Sequence, residues 1–566
     1  MTLTRRGFLE ASAVTALGPL WTTTTDRSTP PGFPTDIAVY REAYRNWAGE
    51  IRATGMWTCV PRTAADVVTV VNWAYEHGFT VRPRGYRHTW SPLTVPDGAD
   101  AERVILVDTT RELTAMAIVS TAPAAVRVQT GASMEDLLTF LEQHGLGVTN
   151  TPAPGELTVG GVLAINGHGT SVPADGEIRT PGHTYGTLSN LILSVTAVVW
   201  DAATDGYVLR TFDRADPACT ALLTHVGRAF LTEVTLRVGA NQNLRCVSSV
   251  DIPASELFAP PGSGARRTLA SFVATAGRVE AIWFAFTGHP WLKVWSVSPQ
   301  RPLTSRPVFT PYNYVFSDNV PEPVAVLAEQ LLNGAWALAP TFGRVQYTTA
   351  AAGLTATLAT DLWGPSKNLL LYVKPTTLRE HANGYAVHTS RNSIQRVVSE
   401  FAGFYERQLA AYQARGEFPV TGQVEIRVAG LDRATDVGVP GAEPPALSAA
   451  RPRADHPEWD VVVWFDVLTF SSAPGAHRFY REMEWFFFAN YSGTYAGCRV
   501  EWSKGWGYTD TAAWAEPSML GSTVPESYRQ GPDPTWDRAV AALDAYDPHR
   551  LFSNPFLDLL LPRPSR

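Results

Sequence analysis

The 566-residue chain lacks most of the features that would place it outside the large globular proteins. Its four cysteines lie far apart without a C-x-x-C pair, so their spacing predicts neither a metal site nor a disulfide, although an oxidising compartment would allow one. Lysine and arginine number 46 against 53 aspartate and glutamate, and the net charge of −7 argues against a nucleic-acid partner. No apolar run approaches the roughly 20 residues of a membrane span. The chain also lacks the G-x-G-x-x-G and G-x-x-x-x-G-K-[ST] fingerprints.

The first residues carry an export pattern. Residues 4–9 (TRRGFL) match the twin-arginine signal, and the mildly apolar residues 11–20 follow it. The twin-arginine route carries proteins that fold before translocation, which suits a protein that receives a cofactor in the cytosol. We therefore expect residues 1–30 to be a signal peptide, without a readable cleavage site, and the mature protein to be secreted.

Two stretches are candidates for holding a phosphate-containing ligand. Residues 81–92 (VRPRGYRHTWSP) combine three arginines with Gly85 and His88, and residues 152–171 (PAPGELTVGGVLAINGHGTS) contain five glycines. Glycine lets the backbone approach a ligand closely, so that its N–H groups can surround a pyrophosphate. Taken singly, the first stretch could be an arginine-rich surface turn and the second a glycine-rich turn of an ordinary α/β domain.

Together the two stretches resemble the flavin domain of the vanillyl-alcohol oxidase family. There an R-G-x-x-H-[ST] segment carries a histidine bonded covalently to FAD, and a later P-x-x-G-x-x-x-x-G-G segment holds the pyrophosphate. The resemblance implies that His88 is the one covalent attachment point, because residues 149–152 (TNTP) offer no second, cysteine link. It also implies that FAD contacts Arg84, Gly85, Tyr86, Arg87, Thr89, Ser91, Pro154, Gly155, Thr158, Gly160, Gly161, Asn166, Gly167, Gly169 and Asn554.

The hydrophobic pattern divides the chain into unlike parts. Residues 31–237 alternate strands and helices, whereas residues 238–516 predict antiparallel strands, among them a hairpin over 282–297, mixed with helices. Residues 368–373 are predicted as a strand and 439–452 as a surface loop. Residues 517–566 resemble the family's return to the flavin domain. We expect an α+β fold, with a FAD-binding domain of two α+β subdomains and an α+β cap domain built on an antiparallel sheet.

Three short segments of the predicted cap are candidates for catalysis. In residues 423–428 (QVEIRV) the period-two alternation places Glu425 and Arg427 on one face, where they can neutralise each other under cover or form an ordinary edge-strand ion pair. An E-x-R strand faces the flavin in carbohydrate and sterol oxidases of the family. Lys504, in residues 500–506 (VEWSKGW), matches the family's lysine at the flavin edge. Glu280, ahead of a Trp-Phe strand, is a further cavity acid.

Within the family the resemblance is to the covalent-flavin bacterial cholesterol oxidases. It implies oxidation of a 3β-hydroxysterol with O2, giving H2O2, followed by isomerisation to the 4-en-3-one with Glu425 or Glu280 as base. It further implies a monomer that touches membranes at most transiently. No metal is expected. A sugar-alcohol or aldonolactone oxidase on the same scaffold and a secreted sterol-binding protein without activity are the alternatives. The abundance of Trp, Tyr and Phe (18, 19 and 24) favours an apolar substrate.

Overall fold

The computed structural model describes residues 29–315, 320–529 and 535–563. The predicted twin-arginine signal falls outside these residues. None of the helices in the described ranges is long and apolar enough to cross a membrane.

The first sheet has four strands in the order β1-β2-β4-β3. Its strands are β1 (Ala38–Arg45), β2 (Arg52–Val60), β3 (Thr80–Arg84) and β4 (Val104–Asp108). The helix Ala64–His77 begins at a capping box in which Thr63 and Asp66 bond each other's backbone, and it ends at Gly78 with φ of 70°. Because β3 and β4 run parallel, the chain leaves β3 at the same sheet edge at which Asp108 ends β4.

A second, antiparallel sheet of five strands has the order β5-β6-β10-β8-β9, and a two-strand ladder joins β7 to β11. These strands are β5 (Met116–Thr121), β6 (Ala124–Gln129), β7 (Leu146–Gly147), β8 (Ile192–Asp201), β9 (Gly206–Asp213), β10 (Phe230–Arg237) and β11 (Gly239–Ala240). The helix Met134–Gln143 buries Leu137, Leu138 and Leu141, as the sequence predicts.

The third sheet has nine strands in the order β15-β16-β12-β14-β13-β18-β19-β17-β20. They are β12 (Asn243–Ser249), β13 (Arg278–Phe284), β14 (Trp291–Val297), β15 (Arg306–Pro307), β16 (Asp361–Pro365), β17 (His381–Thr389), β18 (Gln423–Gly430), β19 (Val461–Thr469) and β20 (Ala496–Val500). All neighbours are antiparallel except β15 and β16. The hairpin β13–β14 and the antiparallel cap are confirmed.

Helices cover the sheets and close the chain. The remaining α-helices are Val159–Ala164, Thr220–Leu223, Ala254–Leu257, Leu269–Ala276, Glu322–Leu332, Ala339–Ala356, Ser366–Leu370, Ile394–Ala414, Ala434–Val437, Ala476–Asn490, Val524–Tyr528, Thr535–Tyr546 and Pro555–Leu560. The segment between the last two helices contacts the first two sheets. Asp547 accepts a hydrogen bond from Tyr207 of β9 at 2.6 Å and pairs with Arg228 at 3.0 Å, and the Val81 N–H of β3 donates to the Leu551 carbonyl.

Two local expectations are wrong. Residues 368–373 are not a strand, because Ser366–Leu370 is a helix that begins after Pro365. Its two leucines and the following Leu371 are buried, and a short apolar run does not distinguish a buried helix from a strand. Residues 445–450 of the predicted surface loop are buried. Arg499 and Trp502 donate to the loop's carbonyls, which removes the cost of burying its backbone.

Candidate active site

A cavity of about 350 Å³ lies where the first two sheets meet the nine-stranded sheet. Its wall contains the turn after β3, the glycine-rich segment 151–170, and residues of β13, β14, β18 and β19. Segments separated by more than 400 residues, from Tyr44 to Lys504, therefore share one cavity. The cavity has a backbone-lined part and a part lined by side chains.

His88 lies on the cavity wall between two tryptophans. Its ring stacks on Trp47 with centroids 3.8 Å apart and meets the edge of Trp90 at 5.7 Å. Burial, reinforced by the positive charges of Lys504 and Arg379, lowers the pKa of His88 to about 3. The imidazole is therefore neutral at physiological pH, with a nitrogen lone pair free for bonding.

The arginines of the turn are engaged with the protein. Arg84 bonds both oxygens of Glu42, at 3.0 and 2.8 Å, and lies 2.9 Å from Asp108. Arg82 donates to backbone carbonyls of the 93–94 segment and of Phe552. These arginines, which the sequence suggested as ligands of a phosphate, instead hold the turn in place.

The backbone of the same turn remains available to a ligand. Within the described ranges, the N–H groups of residues 85–89 have no hydrogen-bond acceptor, and Arg87 adopts a φ of 61°. Successive N–H groups in such a conformation form a concave anion site. At Gly85, a side chain would place Cβ 2.5 Å from the Thr158 hydroxyl, so only glycine permits this approach of the turn to the glycine-rich segment.

Buried polar atoms without a partner surround the cavity. Among the described residues they include Thr151 Oγ1, Gln423 Oε1, Glu380 Oε1, Asp466 Oδ1 and Glu501 Oε2. Buried polar groups are normally hydrogen-bonded, so a set of unpartnered ones indicates space for a polar ligand. A long ligand with phosphate at the N–H groups and a hydrogen-bonding ring system at these atoms fits the cavity, and FAD has that chemistry.

Arg427 lies at the centre of the part of the cavity that is lined by side chains. Its guanidinium donates to Glu280 at 2.8 Å, to Asp466 at 2.9 Å, and to Glu425. The predicted pairing of Glu425 with Arg427 is therefore confirmed. The contacts follow from strand register, because Glu280 on β13 lies opposite Arg427, and Asp466 on β19 lies opposite Glu425.

Charges in this cluster shift one another's pKa. Burial alone would raise the pKa of Glu425, but Arg427 and Lys504 hold it below its ordinary value. Burial opposes charge on Arg427 as well, yet Glu425 and Glu280 keep its pKa well above the usual range. Lys504, whose ammonium lies 3.4 Å from Asp466 and 4.1 Å from the centre of the Trp90 ring, also stays charged. The cavity therefore presents two cations.

Glu280 lies behind Arg427 and is absent from the cavity wall. The Tyr372 hydroxyl donates to it at 2.5 Å, and the buried Lys293 ammonium lies 3.5 Å away. Lys293 is enclosed by the rings of Trp295, Tyr314 and Tyr372, and burial lowers its pKa to about 8. Glu280 is thus held by two hydrogen-bond donors, Arg427 and Tyr372, and by an ion pair with Lys293, whereas Glu425 faces the cavity.

Most of the predicted flavin contacts lie on the wall, and some lie just behind it. On the wall are Arg84, Gly85, Tyr86, Arg87, His88, Thr89, Pro154, Thr158, Gly160, Gly161, Gly167 and Gly169. Gly155 packs against Glu135, and Ser91 donates to the Trp502 carbonyl at 2.7 Å. Asn166 is buried with both amide atoms unpartnered. Asn554 caps the last helix and donates to the Pro92 carbonyl at 3.0 Å, so it supports the turn from outside the cavity.

The cavity residues that were not predicted from the sequence include Asp466, Glu501, His168 and Glu380. Glu501 stands in the same E-W-x-K segment as Lys504, so the motif contained the signal for it. His168 lies in the glycine-rich segment, where its ring stacks on Trp464 at 3.6 Å. Asp466 and Glu380 give no local signal, because a single acid at the buried end or middle of a strand pattern has no distinctive spacing.

Another part of the wall, beside the cluster, is apolar. It is formed by Ile282, Trp291, Trp295, Leu370, Val373, Leu378 and Leu468. A surface of this kind excludes water and offers few hydrogen bonds to a ligand. The cavity wall therefore combines charged side chains with hydrocarbon-like surface.

Comparisons with known proteins identify two parts of the chain. Residues 58–204 match the family model of the FAD binding domain, and residues 243–562 match the model described as cholesterol oxidase, substrate-binding. A solvent-stable cholesterol oxidase is 55% identical over 94% of this chain and 100% of its own, with a TM-score of 0.93. The cholesterol oxidase from B. sterolicum is 46% identical over 96% of this chain and 100% of its own, with a TM-score of 0.92.

A third solved structure shares only the fold. A xylooligosaccharide oxidase from Myceliophthora thermophila in complex with xylobiose is 15% identical over 93% of this chain and 98% of its own, with a TM-score of 0.54. Curated protein sequences give no match to the chain. Fold and cavity define a two-domain flavoprotein in which an FAD-binding domain is joined to a cap. The chain belongs to the cholesterol oxidase family.

Proposed function

We propose that the protein is a secreted, FAD-dependent oxidase that oxidises the 3β-hydroxyl group of cholesterol-like sterols with O2. The observation that carries the proposal is the mixed lining of the cavity, in which apolar side chains lie close to Glu425, Arg427, Lys504 and His88. A sterol has one hydroxyl on a large hydrocarbon body. It needs few polar contacts at one end and an apolar surface along the rest.

The charged side chains account for the chemistry expected at the hydroxyl. A bound flavin would supply the hydride acceptor, with O2 as final oxidant and H2O2 as product. Arg427 and Lys504 would stabilise negative charge that develops on the substrate oxygen, and such preorganised charges commonly supply a large part of the rate enhancement. Glu425, ionised beside Arg427, is placed to accept a proton in the cavity.

Covalent attachment of FAD through His88 is supported by its place on the wall and by its neutral imidazole. A protonated ring would have no lone pair with which to form the bond. The stack on Trp47 holds the ring in one orientation, which lowers the entropy lost when the bond forms.

Isomerisation of the 5-en-3-one to the 4-en-3-one would need a base that reaches the substrate. Glu425 lies on the wall, whereas Glu280 is enclosed by Arg427, Tyr372 and Lys293. The arrangement therefore favours Glu425 as the base, with Glu280 fixing the guanidinium.

Contact with a sterol-containing membrane is supported by an exposed apolar patch. Leu303, Phe309 and Leu358 are 99%, 84% and 73% exposed and lie beside β15 and β16. We take the protein to act as a monomer that touches the bilayer transiently. Flotation with phosphatidylcholine–cholesterol vesicles should recover more wild type than a variant with serine at all three positions. Equal recovery of the two proteins would contradict membrane contact through this patch.

A sugar-alcohol or aldonolactone oxidase remains the alternative on this scaffold, although the apolar wall opposes it. The deciding experiment measures H2O2 release from cholesterol and from xylitol side by side with one preparation. We expect turnover of cholesterol alone. Turnover of xylitol without cholesterol would overturn the sterol assignment, and a colourless polypeptide after acid precipitation would contradict covalent flavin.

A further inference from the structure

A buried lysine lies directly behind the wall of the cavity. Lys293 is fully buried, and its ammonium lies 5.4, 4.7, 4.7 and 2.9 Å from the ring centroids of Trp291, Trp295, Tyr314 and Tyr372. Trp291, Trp295 and Tyr372 also line the cavity, whereas Lys293 is not part of the wall. Aromatic rings therefore separate its positive charge from the space that a ligand would occupy.

Strand register places Lys293 in one row with Glu280 and Arg427. Glu280 on β13 lies opposite Lys293 on β14 and opposite Arg427 on β18. Directly opposed residues of antiparallel strands carry their side chains on the same face of the sheet. The row therefore has the charge order positive, negative, positive, and the arginine is the member that reaches the cavity wall.

Glu280 turns a different oxygen atom to each of the two cations. Its Oε1 accepts a hydrogen bond from Arg427 at 2.8 Å, whereas its Oε2 lies 3.5 Å from the Lys293 ammonium. A carboxylate that lies between two cations attracts both and neutralises neither of them completely. Lys504 shares Asp466 with Arg427 in the same manner, at 3.4 Å. Part of the Arg427 charge thereby stays available to the cavity.

Lys293 carries its charge at neutral pH. Burial lowers the pKa of the ammonium to about 8, although the negative charge of Glu280 works in the opposite direction. The electron-rich faces of aromatic rings stabilise a cation that has lost its water, so the surrounding cage also favours the charged form. At pH 7 the row therefore contains two cations and one carboxyl group.

We propose that Lys293 is a positioning residue whose charge acts through Glu280 and leaves the guanidinium of Arg427 free to stabilise negative charge in the cavity. The inference rests on the proposed function for the reaction that the lysine assists. Without Lys293, only Arg427 of the two cations would remain beside Glu280, and the cluster would be more negative by one unit. Negative charge on the substrate oxygen, or brought to a bound flavin with a hydride, would then be stabilised less.

The first test is the midpoint potential of the bound flavin, which is measured without sterol. Lys293→Met removes the charge and keeps the length of the side chain. We expect the potential to fall by about 30 mV, which corresponds to a tenfold change in a two-electron equilibrium. Glu280→Gln removes a negative charge and should raise the potential, and the K293M/E280Q double variant should return it towards the wild-type value.

Opposite signs in the two single variants are the decisive result. Damage to packing does not depend on the sign of the charge that is removed, whereas an electrostatic effect does. A potential that falls in both single variants, or that is unchanged in K293M, overturns the proposal.

The second test is anaerobic stopped-flow reduction of the flavin by cholesterol. The rate in K293M should be about tenfold below wild type, a smaller loss than the 10²–10³-fold typical of a donor that touches the reacting atoms. Sterol affinity should be unchanged, and the double variant should recover part of the rate because it restores the net charge. If K293M changes only the melting temperature, Lys293 is a structural partner of Glu280 and the proposal fails.

Lys367→Met is the matched control. Lys367 pairs with Glu142 at 2.8 Å, its side chain is 14% exposed, and it lies outside the cavity wall. We expect the potential and the reduction rate of K367M to equal those of wild type, and effects as large as those in K293M would refute the proposal. Because the potential is measured without sterol, the inference can fail while the proposed function stands, and the sterol assignment can fail while the role of Lys293 stands.

Discussion

Arg427→Ala is the most direct perturbation of the proposed chemistry. The guanidinium contacts Glu280, Asp466 and Glu425, the first two at 2.8 and 2.9 Å. Its removal leaves these acids without their shared cation in a buried site. Breaking a buried ion pair in this way costs roughly 3–5 kcal/mol of folding free energy. The variant must therefore be assayed well below its own melting temperature.

The expected kinetic effect is larger on rate than on binding. Charge on the substrate oxygen develops mainly in the transition state, so loss of the donor should lower kcat and kcat/KM together. Removal of one preorganised donor typically lowers the rate about 10²–10³-fold, or about 2.7–4 kcal/mol. Sterol affinity should change only a few-fold, because the apolar wall is untouched.

Anaerobic stopped-flow reduction of the bound flavin by cholesterol measures the step itself. Arg245→Ala is the control, since Arg245 pairs with Asp361 at 2.8 Å on the same nine-stranded sheet but outside the cavity. Such a partly exposed pair contributes about 0–1 kcal/mol. Reduction of R427A at near wild-type rate, or an equal loss in R245A, would refute the role of Arg427.

Four further predictions address the remaining assignments. His88→Ala should release its flavin on acid precipitation while wild type retains it, and free flavin from wild type would contradict the covalent link. Lysines in place of the arginines at 5 and 6 should leave active protein inside the cell, whereas unchanged secretion would dismiss the export signal. Glu425→Gln should oxidise cholesterol but release the 5-en-3-one if Glu425 is the isomerisation base; a parallel loss of both steps would assign it to holding Arg427. Burial and then Glu425 raise the pKa of Glu380 to about 8, so the folded state holds this proton more tightly than the unfolded chain. The melting temperature of Glu380→Gln should therefore equal that of wild type near pH 4 and exceed it at pH 8. Identical melting temperatures across this pH range would show that Glu380 is not buried as a neutral acid.

The local part of the site was predictable because its signals lie within single segments. His88 beside Gly85, the glycines around Gly160, and the alternation of Glu425 with Arg427 depend only on neighbours in the chain. Period-two patterning assigns each side chain to a face of its strand. Family resemblance then supplied the cofactor and the substrate class, which composition alone could only favour weakly.

The tertiary structure decided which charges meet. The period-two pattern shows which side chains share a face of β18, but it does not show which strands lie beside β18. Only the strand order places Glu280 and Asp466 against Arg427. The same holds for Arg84 on β3, whose charge is neutralised by Asp108 from the adjacent strand β4 and by Glu42 from β1. Whether a buried ionisable side chain is paired with an opposite charge, protonated or left unpaired depends on its neighbours within a few ångströms. Those neighbours come from segments remote in sequence, so only the folded chain determines them.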